Sequence, residues 1–206
     1  MGFSGHLVFA CSERPLLKAP LFDSTGPGLR DDVHEWQPRL GGWQTLQLEQ
    51  GIWEDEHLSA LVEWSGAPAC VADVSDSSVA LVTGLDTNGH RWQAWLNLDN
   101  AAGLVIEVPE DVDDVSLWIA TPEFKEAIGH KRAELDAEVP TDAEGALVWA
   151  SAAGVQVAAQ QSRIEELLRI QQTFVEELFD ALLDELGFPE AVHSAPQPQE
   201  TTSKRP

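Results

Sequence analysis

Acid–base or metal chemistry in this chain would have to start from six histidines: His6, His34, His57, His90, His130 and His193. Two of them stand inside runs of oxygen ligands, Asp31-Asp32-Val33-His34-Glu35 and Glu54-Asp55-Glu56-His57. The second run reads as the first turn of a helix. Consecutive helical side chains point in different directions, so its four groups cannot converge on one ion. The first run lies in a loop-rich region that can bend. Together with His57 it gives the weakest functional reading, a metal-dependent hydrolase of scattered acids. Asp86-Thr87-Asn88-Gly89 has the opening of a calcium loop but lacks the later glutamate, and a hairpin turn accounts for it. The sequence holds no G-x-S-x-G, H-E-x-x-H, C-x-x-C, G-x-x-x-x-G-K-S/T or G-x-G-x-x-G pattern. Ser75-Asp76-Ser77-Ser78 falls where a turn is required, which argues against a nucleophile there. No catalytic residue, metal ligand or cofactor is therefore assigned.

Charge says more. The chain carries 35 Asp and Glu against 12 Lys and Arg, a formal net charge of −23. Thirteen acids face five bases over 1–98, and twenty-one face five over 99–190, so the excess sits on the half that reads as helical. Such a surface repels nucleic acid and anionic lipid and draws basic proteins from a distance. No run approaches the roughly 20 apolar residues that cross a bilayer. The apolar stretch 7–11 is too short for a signal-peptide core and follows no basic segment, so a cytoplasmic protein is expected. Absent Tyr and scarce Lys, beside abundant Ala, Gly, Val and Asp, suggest a GC-rich bacterial coding sequence. Cys11 and Cys70 sit in strand-like apolar runs and read as two buried, reduced thiols.

These residues must be held by an α+β body. A first strand is expected over 6–11, and a second over 43–48, where alternation leaves one dry side. A short helix opens on Glu54-Asp55-Glu56, favoured by the positive helix end, and stops at Gly66-Ala67-Pro68. Three further strands, 69–74, 78–85 and 91–98, form an antiparallel meander joined by Ser75–Ser77 and by a turn containing Asn88-Gly89. A brief helix follows over 101–105, then an acidic connector over 107–114 and one more short strand over 115–119. Thr121-Pro122 caps a helix that should break at Pro140. Thr141-Asp142-Ala143-Glu144 caps a second helix ending near Gly154, and a long third helix fills 155–186. The expected organisation is a mainly β portion over 1–119, a three-helix portion over 120–188 packed on it, and a disordered tail over 189–206.

Partner-binding candidates come from the long helix and from one tryptophan. Ile164, Leu167, Leu168, Gln171, Phe174, Val175, Leu178, Ala181 and Leu182 form a stripe at three–four spacing, and Phe179, Leu183 and Leu186 add a second apolar side. Glu165, Glu166, Glu176 and Glu177 stay on the wet side. Trp95 falls on the polar face of its strand, and eight tryptophans are many for one core. Exposed tryptophan marks contact sites. The leading expectation is a non-enzymatic acidic interaction protein, of the inhibitor or immunity type, that neutralises a basic partner such as a nuclease. Its contact residues are Trp95, Glu165, Glu166, Phe174, Glu176, Glu177, Leu178, Phe179, Leu182 and Leu183. The stretch 66–82 loosely resembles strands of small bacterial toxin-immunity proteins, without a diagnostic motif. The alternative expectation is a structural or regulatory homodimer assembled through the long helix.

Overall fold

The computed structural model describes residues 2–22, 33–109, 115–155 and 160–191. Among these residues six strands are formed, β1 (Gly5–Cys11), β2 (Val33–Glu35), β3 (Trp43–Glu49), β4 (Ala69–Ser75), β5 (Val79–Leu85) and β6 (Arg91–Leu96). They pair as one sheet in the order β2-β3-β1-β4-β5-β6, with every neighbour antiparallel. The meander β4-β5-β6 is present as expected. β1 inserts between β3 and β4, and that long-range pairing leaves no mark in local alternation.

Helices cover both faces of the sheet. On one side lies α1 (Asp55–Ser65), ended by Gly66 at φ 68°. Its Leu58, Leu61 and Val62 close over Val8, Ala10, Leu46 and Leu48, helped by Leu16 and Phe22 from two 3-10 turns. The other side carries α2 (Leu98–Val105), α4 (Pro122–Ala152), α5 (Gln161–Leu168) and α6 (Val175–Glu185), with the single turn α3 (Val115–Trp118) between α2 and α4 in sequence. β3 is therefore dry on both faces rather than one: Trp43 and Thr45 lie under the helices, Leu46 and Leu48 under α1.

An aromatic cluster fills the centre of the helical side. Phe9 stacks on Trp43 at 4.8 Å between centroids, and Phe188 meets both edge-on at 5.2 and 4.6 Å. Trp149 of α4 lies against Phe188 and Trp92, and its indole N–H is shared by the carbonyls of Ala69 and Leu85, each at 3.2 Å. None of the eight tryptophans is exposed. Two cores, one on each face of the sheet, accommodate what one could not.

Several boundaries depart from expectation. Pro140 does not break the helix: α4 runs through it for 31 residues. Proline in a helix interior costs about 3 kcal/mol. Here it sits on the exposed side of α4, while Leu135, Val139, Ala143, Ala146, Trp149 and Ala150 bury against the sheet layer. That apolar burial outweighs one missing hydrogen bond. The expected single helix over 155–186 is instead α5 and α6, separated at 169–174. At the break Asn97 holds both backbone groups of Gln172. Residues 115–118 form a helical turn rather than a strand. The tail expected from 189 stays paired as far as Ala191, whose N–H donates to the Pro38 carbonyl. Residues 192–206, and most of the acidic connector, lie outside the described residues.

The Asn88-Gly89 turn does not carry the two left-handed residues that such a dipeptide favours. At Asp86–His90 only Gly89 has positive φ, 86°, and Asp86 accepts from the backbone N–H of Asn88 and His90. Burial pushes the Asp86 carboxyl up, but the His90 ring and these N–H groups hold it below the usual range. The pair of left-handed residues is found at the other turn, Asp76 (φ 50°) and Ser77 (φ 53°), closed by Ser78 N–H to the Ser75 carbonyl.

Two glycines of α4 give opposite expectations. A Cβ on Gly129 would meet open space, whereas one on Gly145 would come within 2.9 Å of the Trp92 Cβ. Gly129→Ala should raise stability by about 1 kcal/mol through helix propensity. Gly145→Ala should lower it by about 1–2 kcal/mol because Trp92 has nowhere to retreat. Urea unfolding of the two variants checks the sign.

Further along α4, burial first and then Glu138 raise the Asp142 carboxyl to a pKa of about 6. The folded state therefore binds this proton more tightly than the unfolded chain. Stability from this group rises as pH falls through about 6 and levels off near the unfolded value. Asp142→Asn should stabilise the protein at pH 7, by about 1 kcal/mol once solvent screening of a half-buried group is allowed for. The gain should vanish by pH 4, which thermal melts at the two pH values measure.

Candidate functional site: an acidic groove between strand β2 and helix α6

β2 is an edge strand of only three residues, paired to β3 in the register Val33–Leu48, His34–Gln47 and Glu35–Leu46. Its pairing continues through Trp36, whose N–H donates to the Thr45 carbonyl. The Trp36 indole is half-buried. It donates to Gln47 Oε1 at 3.1 Å and stands edge-on to Phe179 of α6. After Pro38, Arg39 and the left-handed pair Gly41-Gly42 (φ 80° and 84°), the chain enters β3.

α6 approaches β2 with its first turns. Val175 N–H donates to the Ser77 carbonyl at 2.8 Å, which fixes the start of the helix against the β4–β5 turn. Glu176 and Glu177 occupy the first turn, where the positive helix end favours them. Glu176 Oε1 accepts from Ser77 Oγ at 2.6 Å, and its Oε2 is shut off from solvent with no partner among the described residues. Downstream of α6, Glu190 pairs through its backbone with Arg39.

Between these elements lies a groove of about 440 Å³. Glu35, Glu176, Glu177, Asp180 and Glu190 line it, with Trp36 forming an aromatic side and His34 at the strand edge. The nearest cation is Arg39, which is almost fully buried and already committed. Its guanidinium pairs with the carboxylates of Asp180 and Asp184 and with the carbonyls of Phe188 and Asp180. It thus ties the β2–β3 connection to the end of α6. Two carboxylates share its charge, and the remaining four of the groove's acids have no cation of their own in the lining.

The residues nominated from sequence separate into four places. Glu176 and Glu177 face the groove, and Phe174, 51% exposed, stands at the start of α6 beside them in sequence. Glu165 and Glu166 lie on α5 and are used locally, by Arg169 and Arg163 respectively. Arg169 also reaches Asp136 of α4, and Arg163 reaches Glu185 of α6. Leu178, Phe179, Leu182 and Leu183 are at most 3% exposed and belong to the core under the sheet. They are covered by this chain itself, so a partner has no access to them in this fold. Trp95 is half-buried on the opposite face of the sheet, paired with Leu81, and takes no part in the groove.

Sequence reading missed Glu35, Trp36, Gln37 and Glu190 as groove residues. Glu35 was visible in the run 31–35, whose Asp31 and Asp32 lie outside the described residues, but only the β2–β3 pairing brings Glu35 to the groove, as the Arg39–Glu190 bridge brings Glu190. Among the described residues no group of three or more His, Cys, Asp or Glu is placed to hold a metal ion. Cys11 and Cys70 are free thiols, and burial raises the pKa of both. No helix among the described residues is long and apolar enough to cross a membrane.

A scan against protein-family models gives no match to this chain, and searches of curated proteins and of solved structures return none.

Proposed function

We propose that the protein is a non-enzymatic interaction module whose groove between β2 and α6 seats a basic segment of a protein partner. The observation that carries the reading is a groove beside Trp36 lined by five acidic residues from β2, α6 and the segment after α6, with the neighbouring Arg39 already paired to Asp180 and Asp184. The net charge of −23 steers a basic protein toward the surface. Inside the groove, Lys or Arg side chains meet carboxylates at the rim and an aromatic face at the side. Neutralising a basic effector, as an inhibitor or immunity-type protein does, is the concrete form of this reading.

A fluorescently labelled peptide rich in Arg and Lys tests it by anisotropy. Binding should weaken steeply with added salt, because exposed charges are screened. The triple variant Glu35→Gln, Glu177→Gln, Glu190→Gln should bind at least about tenfold more weakly, since each lost contact with a partly desolvated cation costs a fraction of a kcal/mol or more. These three side chains are exposed, so the fold should survive. Equal binding by wild type and variant would sink the proposal.

A further inference from the structure

α1 covers only part of its face of the sheet. The register sets out that face as three cross-strand rows: His6, Asp73, Leu81 and Trp95; then Val8, Val71, Thr83 and Gln93; then Ala10, Ala69, Leu85 and Arg91. α1 and the two 3-10 turns close over the β3-β1 side. Toward β5 and β6 a cleft of about 240 Å³ is left open. Trp53, Asp55 and Leu58 wall it on the helix side, and Val71, Leu81 and Thr83 form its floor. That size suits a metabolite rather than the drug-sized ligands of larger pockets.

The two ends of the cleft are chemically opposite. At one end Asp55 and Asp73 face His6, whose Nε2 lies 3.7 Å from Asp73 Oδ1. Burial lowers the imidazole pKa although both carboxylates oppose the shift. The imidazole is therefore mostly neutral near pH 7, and this end carries two acids with no resident cation. Trp53, 6.4 Å from the His6 ring, adds an aromatic surface of the kind that attracts an ammonium group. At the other end stands Arg91, exposed and without an ion-pair partner among the described residues, in a chain where acids outnumber bases almost three to one. Between the ends, Gln93 Nε2 donates to Thr83 Oγ1 at 3.0 Å, leaving the Gln93 carbonyl and the Thr83 hydroxyl for a ligand.

We propose that this cleft binds a small extended zwitterion, with its amine at Asp55 and Asp73 and its carboxylate at Arg91. Asp73 and Arg91 lie two strands and four residue steps apart, about 16 Å between Cα atoms by ordinary strand spacings. A free α-amino acid holds its two charges close together and would need the Arg91 side chain folded toward Asp73 to engage both. An ω-amino acid or a dipeptide spans the gap. The site is on the opposite side of the sheet from Trp36 and α6, and it stands or falls independently of the acidic groove.

Two-dimensional NMR titration of the full chain tests it, reading the Gln93 side-chain amide and the Trp53 indole. The probes are ε-aminocaproate and glycylglycine, with caproate and hexylamine as half-ligands. At least one zwitterion should shift both resonances saturably, and both half-ligands should bind at least about tenfold more weakly. Asp73→Asn and Arg91→Gln, both at exposed positions, should each weaken binding by a similar factor, while Glu177→Gln in the acidic groove should leave it unchanged. No saturable shift with either zwitterion overturns the proposal. So does hexylamine or caproate binding as tightly, or binding that survives both substitutions.

Discussion

Arg39→Met should lower the unfolding free energy by about 3 kcal/mol, at the lower end for a broken buried ion pair. The side chain is 1% exposed, whereas those of Asp180 and Asp184 are 37% and 53% exposed. Water can therefore soften the loss of the cation, which keeps the effect below that of a fully buried pair. Removing Arg39 also leaves the Phe188 carbonyl, which it serves, without that donor. Arg39→Lys should recover less than half of the loss. An ammonium is a point charge and cannot reach two carboxylates and two carbonyls in the planar fork that a guanidinium offers. In a domain of this size about 3 kcal/mol corresponds to a fall in Tm of about 6–12 °C. Part of the loss in Arg39→Met should return at high salt, because the freed carboxylates repel through partly screened surroundings. Urea unfolding at low and high salt measures all of this. A change within about 0.5 kcal/mol of wild type, the range of ordinary surface substitutions, would show that α6 does not depend on this anchor.

Asn97→Ala should cost about 3 kcal/mol, through two separable causes. Asn97 is fully buried and sits at φ 61°. Its carboxamide donates to the carbonyls of Ser78 at 2.6 Å and Gln172 at 2.9 Å, and accepts from Gln172 N–H at 2.9 Å. Ser78 keeps a second donor in Asn100 Nδ2, so the unreplaced loss falls on Gln172. Losing these bonds accounts for about 2 kcal/mol. The left-handed backbone costs alanine about 1 kcal/mol more. Asn97→Gly should relieve only the second cause, so the two variants should differ by about 1 kcal/mol. Hydrogen exchange gives a local readout: protection of the Gln172 amide should fall in both variants by more than global stability alone requires. Unchanged protection at Gln172 would mean that something other than Asn97 sets the break between α5 and α6.

That break shows where sequence reading stops. Nothing in residues 169–174 forbids a helix, and the apolar stripe runs straight through them. At the interruption Gln172 is held instead by a side chain 75 residues earlier. The meander was legible because short apolar runs, the alternation of β6 and the turns between them are local signals, and the N-terminal cap of α4 was legible for the same reason, with Thr121 Oγ accepting from Phe124 N–H. Pro140 misled because a local penalty was overridden by buried contacts on the other side of the helix. The apolar side of α6 was legible as a surface that must be covered. Periodicity states that Leu178 and Leu182 will be covered; it does not state by what, and the sheet of the same chain takes that place. Two of the five groove acids were legible, Glu176 and Glu177, because they sit together. Glu35 and Glu190 arrive through strand pairing and a backbone bridge between residues far apart in sequence.

The acidic groove is tested most directly by comparing three tagged baits in cells that naturally make the protein. One is wild type, one carries Glu35→Gln, Glu177→Gln and Glu190→Gln, and one carries Glu63→Gln, Glu126→Gln and Glu144→Gln, exposed positions outside the groove. The two variants have the same net charge, so they separate placement from total acidity. Quantitative mass spectrometry at low and high salt reads the proteins recovered with each. A basic protein recovered by the wild type and the distal variant, released by salt and lost with the groove variant, is the predicted result. Equal loss with both variants, or equal recovery with all three, would contradict it: the first would assign the attraction to bulk charge, the second would place the contact elsewhere.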